Sequence, residues 1–234
     1  MLKTIQLILF FILVSSYWVP LQAQGCVAIR HFSSCTGAHP EDNLLLKGGL
    51  MFNMNYRYFK SFRHFRGTEE EPDRVANGTE VVNHSHAWDF AITYGLSDRW
   101  YASLIIPMVL NSRSSLYEHG REERNSTFSR GIGDLRWTLG YWLFDPGKLP
   151  KGNIALALGM KLPTGNYNAS DIFYNVGVEG RPEVRPVDHS IQPGDGGFGI
   201  TAEFQFYRVL CPLWFLYGGG LFARRSARSW KTNP

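Results

Sequence analysis

The chain predicts an all-β fold: an antiparallel, up-and-down transmembrane β-barrel that is incomplete at its C-terminal end. Three observations predict it. Apolar side chains recur at every second position through about seven stretches between Leu50 and Phe222, the period of a strand and not of a helix. Each stretch spans about ten residues, the length a tilted strand needs to cross a bilayer, whereas ordinary globular strands run to five or six. The connections alternate short and long, as they do where short turns close one end of a barrel and longer loops the other.

The strands follow in order. Leu50, Phe52, Met54, Tyr56 and Tyr58 alternate with Met51, Asn53, Asn55 and Arg57. Trp88, Phe90, Ile92 and Tyr94 form the second apolar face, and Trp100, Ala102, Leu104, Ile106, Met108 and Leu110 the third. The fourth is Leu135, Trp137, Leu139, Tyr141 and Leu143, and the fifth Ile154, Leu156, Leu158, Met160 and Leu162. Phe198, Ile200, Ala202, Phe204 and Phe206 make the sixth, and a less regular seventh runs from about Leu213 to Phe222. The opposite faces carry small and polar residues. These suit a lumen and would pack poorly in the core of a β-sandwich, the competing architecture. Tyr58, Tyr94, Trp100, Tyr141, Trp142, Phe206 and Tyr207 lie at strand ends, where amphipathic rings form interfacial girdles.

The short connections are Gly95 to Asp98, Asp145 to Lys151 with its Asp-Pro-Gly turn signal, and Val209 to Pro212. The long ones are Lys60 to Asn83, Asn111 to Arg130 and Pro163 to Asp195, and all three fall on the same end. Arg224 to Pro234 has no alternation and ends on proline, so it reads as an irregular tail. A complete bacterial barrel has an even strand number and usually closes on a terminal aromatic. Truncation or a frame shift near Gly220 is therefore expected.

The N-terminus sets the compartment. Lys3, the apolar run Ile5 to Val19 and the small residue Ala23 have the layout of a secretory signal peptide, residues 1–23. The run is short for a membrane helix, and Ser15 and Ser16 interrupt it. Ala23-Gln24-Gly25-Cys26 also resembles a lipoprotein cleavage site, so two routes of processing stay open. Residues 24–46 then form an N-terminal periplasmic segment and 47–223 the barrel. In an oxidising compartment Cys26 and Cys35 are candidates for a small disulfide loop, with Cys211 left over. The net charge of +4 without a long Lys/Arg run excludes a nucleic-acid partner. No motif for a cofactor or zinc site is present. A composition 44% hydrophobic and 15% aromatic, with mean hydropathy −0.19, fits strands that alternate apolar and polar. The expected location is the outer membrane, with its lipid as one partner.

Three phrases recur in order with strands between them: Gly131-Ile132-Gly133-Asp134-Leu135, Lys161-Leu162-Pro163-Thr164-Gly165-Asn166-Tyr167 and Gln192-Pro193-Gly194-Asp195-Gly196-Gly197. From about Gly48 to Phe206 the chain resembles the outer-membrane proteins grouped as phenol-degradation (meta-cleavage pathway) transporter-like. The resemblance implies a barrel that passes or binds small hydrophobic molecules.

The chemistry that the strands carry lies on the inward side. Arg57, Asp89, Asp134, Arg136, Lys161 and Glu203 would be costly against lipid, about 2–4 kcal/mol for Arg or Lys at mid-depth, and so are assigned to the lumen. They either pair with one another as a plug or polarise a route for a solute. The plug reading is favoured, because a barrel of about 8 to 12 strands has little free bore. Asn83-His84-Ser85-His86 with Asp89 contains every residue type of a hydrolase triad. In a strand, however, His84 and His86 share one face and Ser85 the other, and the histidines read as solvated residues at a loop edge. No catalytic residue and no metal ligand is assigned.

Overall fold

The computed structural model describes residues 45, 47–145, 148–149, 151–211 and 214–225. The expected signal peptide, Cys26, Cys35 and residues 226–234 lie outside the described residues. The elements are β1 (Leu50–Ser61), β2 (Phe65–Arg66), β3 (Glu69–Glu70), α1 (Asp73–Ala76), β4 (Val82–Gly95), β5 (Trp100–Ser115), β6 (Asn125–Ile132), β7 (Arg136–Trp142), β8 (Gly152–Lys161), β9 (Ser170–Phe173), β10 (Glu183–Pro186), β11 (Gly199–Cys211) and β12 (Trp214–Arg225).

One antiparallel sheet carries the fold, in the order β1-β4-β5-β7-β8-β11-β12, with β6 also paired to β5. Strands adjacent in the chain are adjacent in space, the topology of an up-and-down meander. The sheet curls into an open half-barrel. Its concave face carries the small and polar side chains, most of them buried, and its convex face is a field of exposed Leu, Ile, Met, Phe and Trp. Period two in the sequence has become two chemically distinct surfaces.

β6 and β7 are one strand interrupted by a bulge. Ile132 pairs with Met108 and Arg136 with Ile105, so Gly133, Asp134 and Leu135 oppose only two residues of β5. The extra residue shifts the parity of the strand. Buried positions move from Thr127 and Ser129 to Asp134, Arg136 and Thr138. Pro107 sits opposite this bulge, its carbonyl accepting from Gly133 N–H at 2.8 Å. A bulge is where a proline, lacking a donor, is tolerated inside a sheet.

The strands run further than alternation predicts. β5 extends to Ser115 and β6 starts at Asn125, so most of the expected loop from Asn111 to Arg130 is strand. Phe128 apart, both faces are polar there, and the period disappears. β12 likewise reaches Arg225, with Arg224 and Arg225 paired to Ile200 and Gly199, so the first two residues of the expected tail are strand. The long segment between β8 and β11 holds the β9–β10 hairpin and folds back on the sheet: Phe128 N–H donates to Asp171 Oδ2 at 2.6 Å. Trp142 and Tyr207, expected in a girdle, point inward at 6% and 5% exposure. Each follows an outward residue, and the parity of its own strand turns it in.

Candidate functional site

All six charged residues assigned to the lumen lie on the concave side. They sort into groups by strand. Arg57 on β1 and Asp89 on β4 form an ion pair at 3.0 Å. Glu203 on β11 accepts from Thr138 Oγ1 at 3.4 Å and lies within reach of the Arg136 charge. Lys161, the last residue of β8, donates to Asp134 Oδ2 at 2.9 Å and also to Asp195.

The third group is the centre of a larger knot. Asp134 is 1% exposed, and its carboxylate accepts from Gly165 N–H at 3.0 Å and from Asp195 N–H at 3.1 Å besides Lys161. Asp195 in turn accepts from Gly197 N–H at 2.9 Å. Thr164 Oγ1 donates to Gly133 O at 3.2 Å and accepts from Leu135 N–H at 2.9 Å. The backbones touch: a Cβ built on Gly165 would lie 2.8 Å from Gly133 C and Gly194 Cα, and one on Gly194 2.6 Å from Gly165 C. Only glycine permits that approach. The three phrases singled out in the sequence, 30 residues or so apart along the chain, thus meet at one point. Asp195 was not singled out as a charged site residue, although its phrase was.

Burial pushes the Asp195 carboxyl up, but donation from Lys161 and Gly197 and the Lys161 charge outweigh it and hold the group below the usual carboxylate range. Asp188, seven residues earlier, behaves the same way. Burial raises it, while Ser190 donors and the Arg113 charge bring it below its ordinary value. Between these two, Ile191 is 1% exposed, and its carbonyl accepts from Asn111 Nδ2 at 2.8 Å and from Ser129 Oγ. The segment from Asp188 to Asp195 is therefore drawn into the concave side of β5 and β6. Gln192 fixes it from behind, donating to Val187 O at 2.9 Å and Ala169 O at 3.1 Å.

Towards the short-turn end the concave face leaves a groove lined by Tyr101, Ser103, Thr138, Ala157, Glu203 and Gln205. Small residues make the room. The Tyr101 ring lies over Gly140, where a Cβ would come within 2.0 Å of it, and its hydroxyl accepts from Gln205 Nε2 at 2.7 Å. Tyr101, Trp142, Ala155 and Tyr207 close the groove as one buried cluster.

The His-Ser-His segment divides between the two faces. Ser85 Oγ donates inward to Asn111 Oδ1 at 2.7 Å. His84 and His86 point outward from within β4, not from a loop edge, with Tyr58 Oη and Tyr56 Oη each 2.7 Å from their Nδ1 atoms. The serine and histidines therefore do not converge within this segment. Among the described residues no group of three His, Cys, Asp or Glu is placed to hold a metal ion, and no helix is long and apolar enough to cross a membrane. No protein-family model and no curated protein matches the chain.

Proposed function

We propose that the chain belongs to a membrane-spanning β-barrel of an outer membrane and serves the entry or passage of small hydrophobic molecules. One observation carries this reading. The convex face exposes Leu50, Phe52, Met54, Ile92, Trp100, Leu156, Leu158, Ile200 and Phe204 at 37–69% of their surface, while every charge in the strands' central rows is on the concave side. An apolar field of that extent in water would be an aggregation surface; against lipid it is the expected outer wall of a barrel. Residence in lipid also requires that the outer edges of β1 and β12, unpaired among the described residues, be satisfied by further strands.

The polar side chains beside Glu203 would line the lumen of a completed barrel, and the resemblance to the transporter-like outer-membrane proteins agrees with it. The knot at Asp134 favours a second reading, a barrel plugged at its loop end that presents its loops to a partner and conducts nothing. Flux separates the two: full chain in liposomes should admit an aromatic hydrocarbon, and absence of flux for aromatic and fatty solutes alike would sink the transport reading. The membrane reading has its own test. Leu156→Lys, on the outward face, should block assembly at a cost of about 2–4 kcal/mol. Ala157→Lys, inward and paired in register with Glu203, should assemble, as read by heat-modifiable migration in gels. Equal effects would reject the assignment of faces.

A further inference from the structure

The outward histidines have no part in the groove or the knot. We propose that the loop-ward rim of the convex face binds the phosphate of an anionic lipid headgroup through Lys60, His84, His86 and Arg130; this rests on the membrane-spanning reading above.

Sheet register sets the four along one rim, Lys60 beside His84 and Arg130 two strands from His86, about 10 Å away. Lys60 pairs with His84, which pairs with Ser112; His86 pairs with Leu110, which pairs with Arg130. All stand on the even-numbered, outward side of their strands. Beneath them lie Tyr58, Tyr56 and Trp88, with Tyr58 and His86 rings 4.9 Å apart and Tyr56 and Trp88 rings 5.2 Å apart. No Asp or Glu occupies an outward position of β1, β4, β5 or β6. Asp89 of β4 faces inward, paired with Arg57, and Asp171 of the separate β9–β10 hairpin is engaged with Phe128 N–H at the edge of β6. The patch is thus cationic and aromatic, without internal neutralisation.

Depth agrees. His84 lies ten residues along β4 from Tyr94, about 33 Å at the rise of a strand, which a strand tilt of about 40° reduces to about 25 Å, the height of a barrel's apolar band. Tyr94, Trp100 and Tyr141 mark one edge of that band, and the histidine row falls on the other, where headgroups sit. The tyrosines also orient the histidines. In the tautomer in which each hydroxyl donates to Nδ1, Nε2 carries the ring proton and serves as a donor. Ring donors and two fixed cations are what a phosphate oxygen accepts from. Lys60 Nζ, 5.1 Å over the Phe62 ring, is held near the rim.

The test uses the full chain in phosphatidylcholine vesicles carrying trace spin-labelled phosphatidic acid or spin-labelled phosphatidylcholine. Enrichment is read from the immobilised fraction of each label. The wild type should enrich phosphatidic acid, and Lys60→Gln with Arg130→Gln should reduce that enrichment by about fivefold per cation removed. His84→Gln with His86→Gln should reduce it independently, which guards against one double variant failing to fold. Equal uptake of both labels, or enrichment unchanged in either double variant, would overturn the headgroup site. Loss of the wild type's enrichment in excess inorganic phosphate would overturn it too, reassigning the patch to a free anion. Failure of the wild type to enter phosphatidylcholine vesicles at all would instead reject the membrane reading on which it rests.

Discussion

The two ends of the concave face are closed by opposite chemistry. At the short-turn end three rings fill the space, Trp142 standing edge-on to Tyr207 at 5.8 Å and tilted against Tyr101 at 6.1 Å. At the long-loop end charges and glycines fill it, with Asp134, Lys161 and Asp195 bonded through backbone that only glycine lets approach. The first closure is made within strands and depends on area buried. The second is made between loops and depends on every donor finding its acceptor, since a buried carboxylate without partners would be costly. An end built of rings tolerates rearrangement; an end built of a satisfied ionic knot is either assembled or open. The end that faces the long loops is therefore the one suited to open without unfolding the sheet.

Asp134→Ala is the sharpest way to break that contrast. It leaves Lys161 with Asp195 alone and strands the N–H groups of Gly165 and Asp195, and removal of one partner from a buried pair costs about 3–5 kcal/mol. Hydrogen exchange should rise across the segment from Pro163 to Phe198, with near-ultraviolet circular dichroism from the aromatic end unchanged. Loss of both signals together would mean that the two ends are one cooperative unit. Trp142→Ala is the converse. It should cost about 3 kcal/mol and erase the aromatic signal, leaving exchange in the loop segment at the wild-type level. Gly165→Ala should cost about 2 kcal/mol through overpacking against Gly133 and Gly194, and should loosen the knot while the Lys161–Asp134 pair is chemically intact. Were it neutral, the knot would rest on charge alone.

How much of this was legible follows from what each contact depends on. The convex face reads directly from the sequence, because a period of two is a local property and the medium outside selects for it at every other position. The inward orientation of Trp142 and Tyr207 was equally present in the parity of their strands. A ring at a strand end fits a girdle as readily as a core, so position along the strand does not separate the two. The ends of β5 and β6 were hidden for a different reason: apart from Phe128, both faces of Asn111 to Ser115 and Asn125 to Arg130 are polar, and one apolar residue carries no periodicity. The bulge at Gly133–Leu135 is encoded in a proline on one strand and a glycine on its neighbour, a pairing that requires knowing which strands meet. The knot is further out of reach. Its three phrases were visible, and two of its charged members were assigned inward, but bringing them to one point needs the return of a loop that no local rule places.

The smallest expected effect concerns acid. His119, in the 3-10 turn between β5 and β6, is fully buried against Phe173, and its Nδ1 accepts from Tyr174 N–H at 3.1 Å. Burial holds its pKa below the ordinary value, with partial opposition from Glu118 and Asp171. A depressed pKa means that the open loop binds a proton more readily than the closed one. Closure is therefore fully stable above the ordinary histidine value of about 6.5 and weakens as pH falls from there towards the folded-state pKa. Asp195 and Asp188 are also depressed, so their contribution is present above the ordinary aspartate value of about 3.9 and lost as pH falls below it. The attachment of the loop should weaken in two steps on acidification, read as exchange rates in residues 170–195 corrected for the intrinsic pH dependence. His119→Gln keeps an acceptor for Tyr174 N–H and should remove only the upper step, worth no more than about 1 kcal/mol; Asp195→Asn should weaken closure at neutral pH and flatten the lower one. An upper step that survives His119→Gln would move that acid sensitivity away from the histidine, and a lower step that survives Asp195→Asn would assign it to Asp188, which Ser190 and Arg113 hold below the ordinary range.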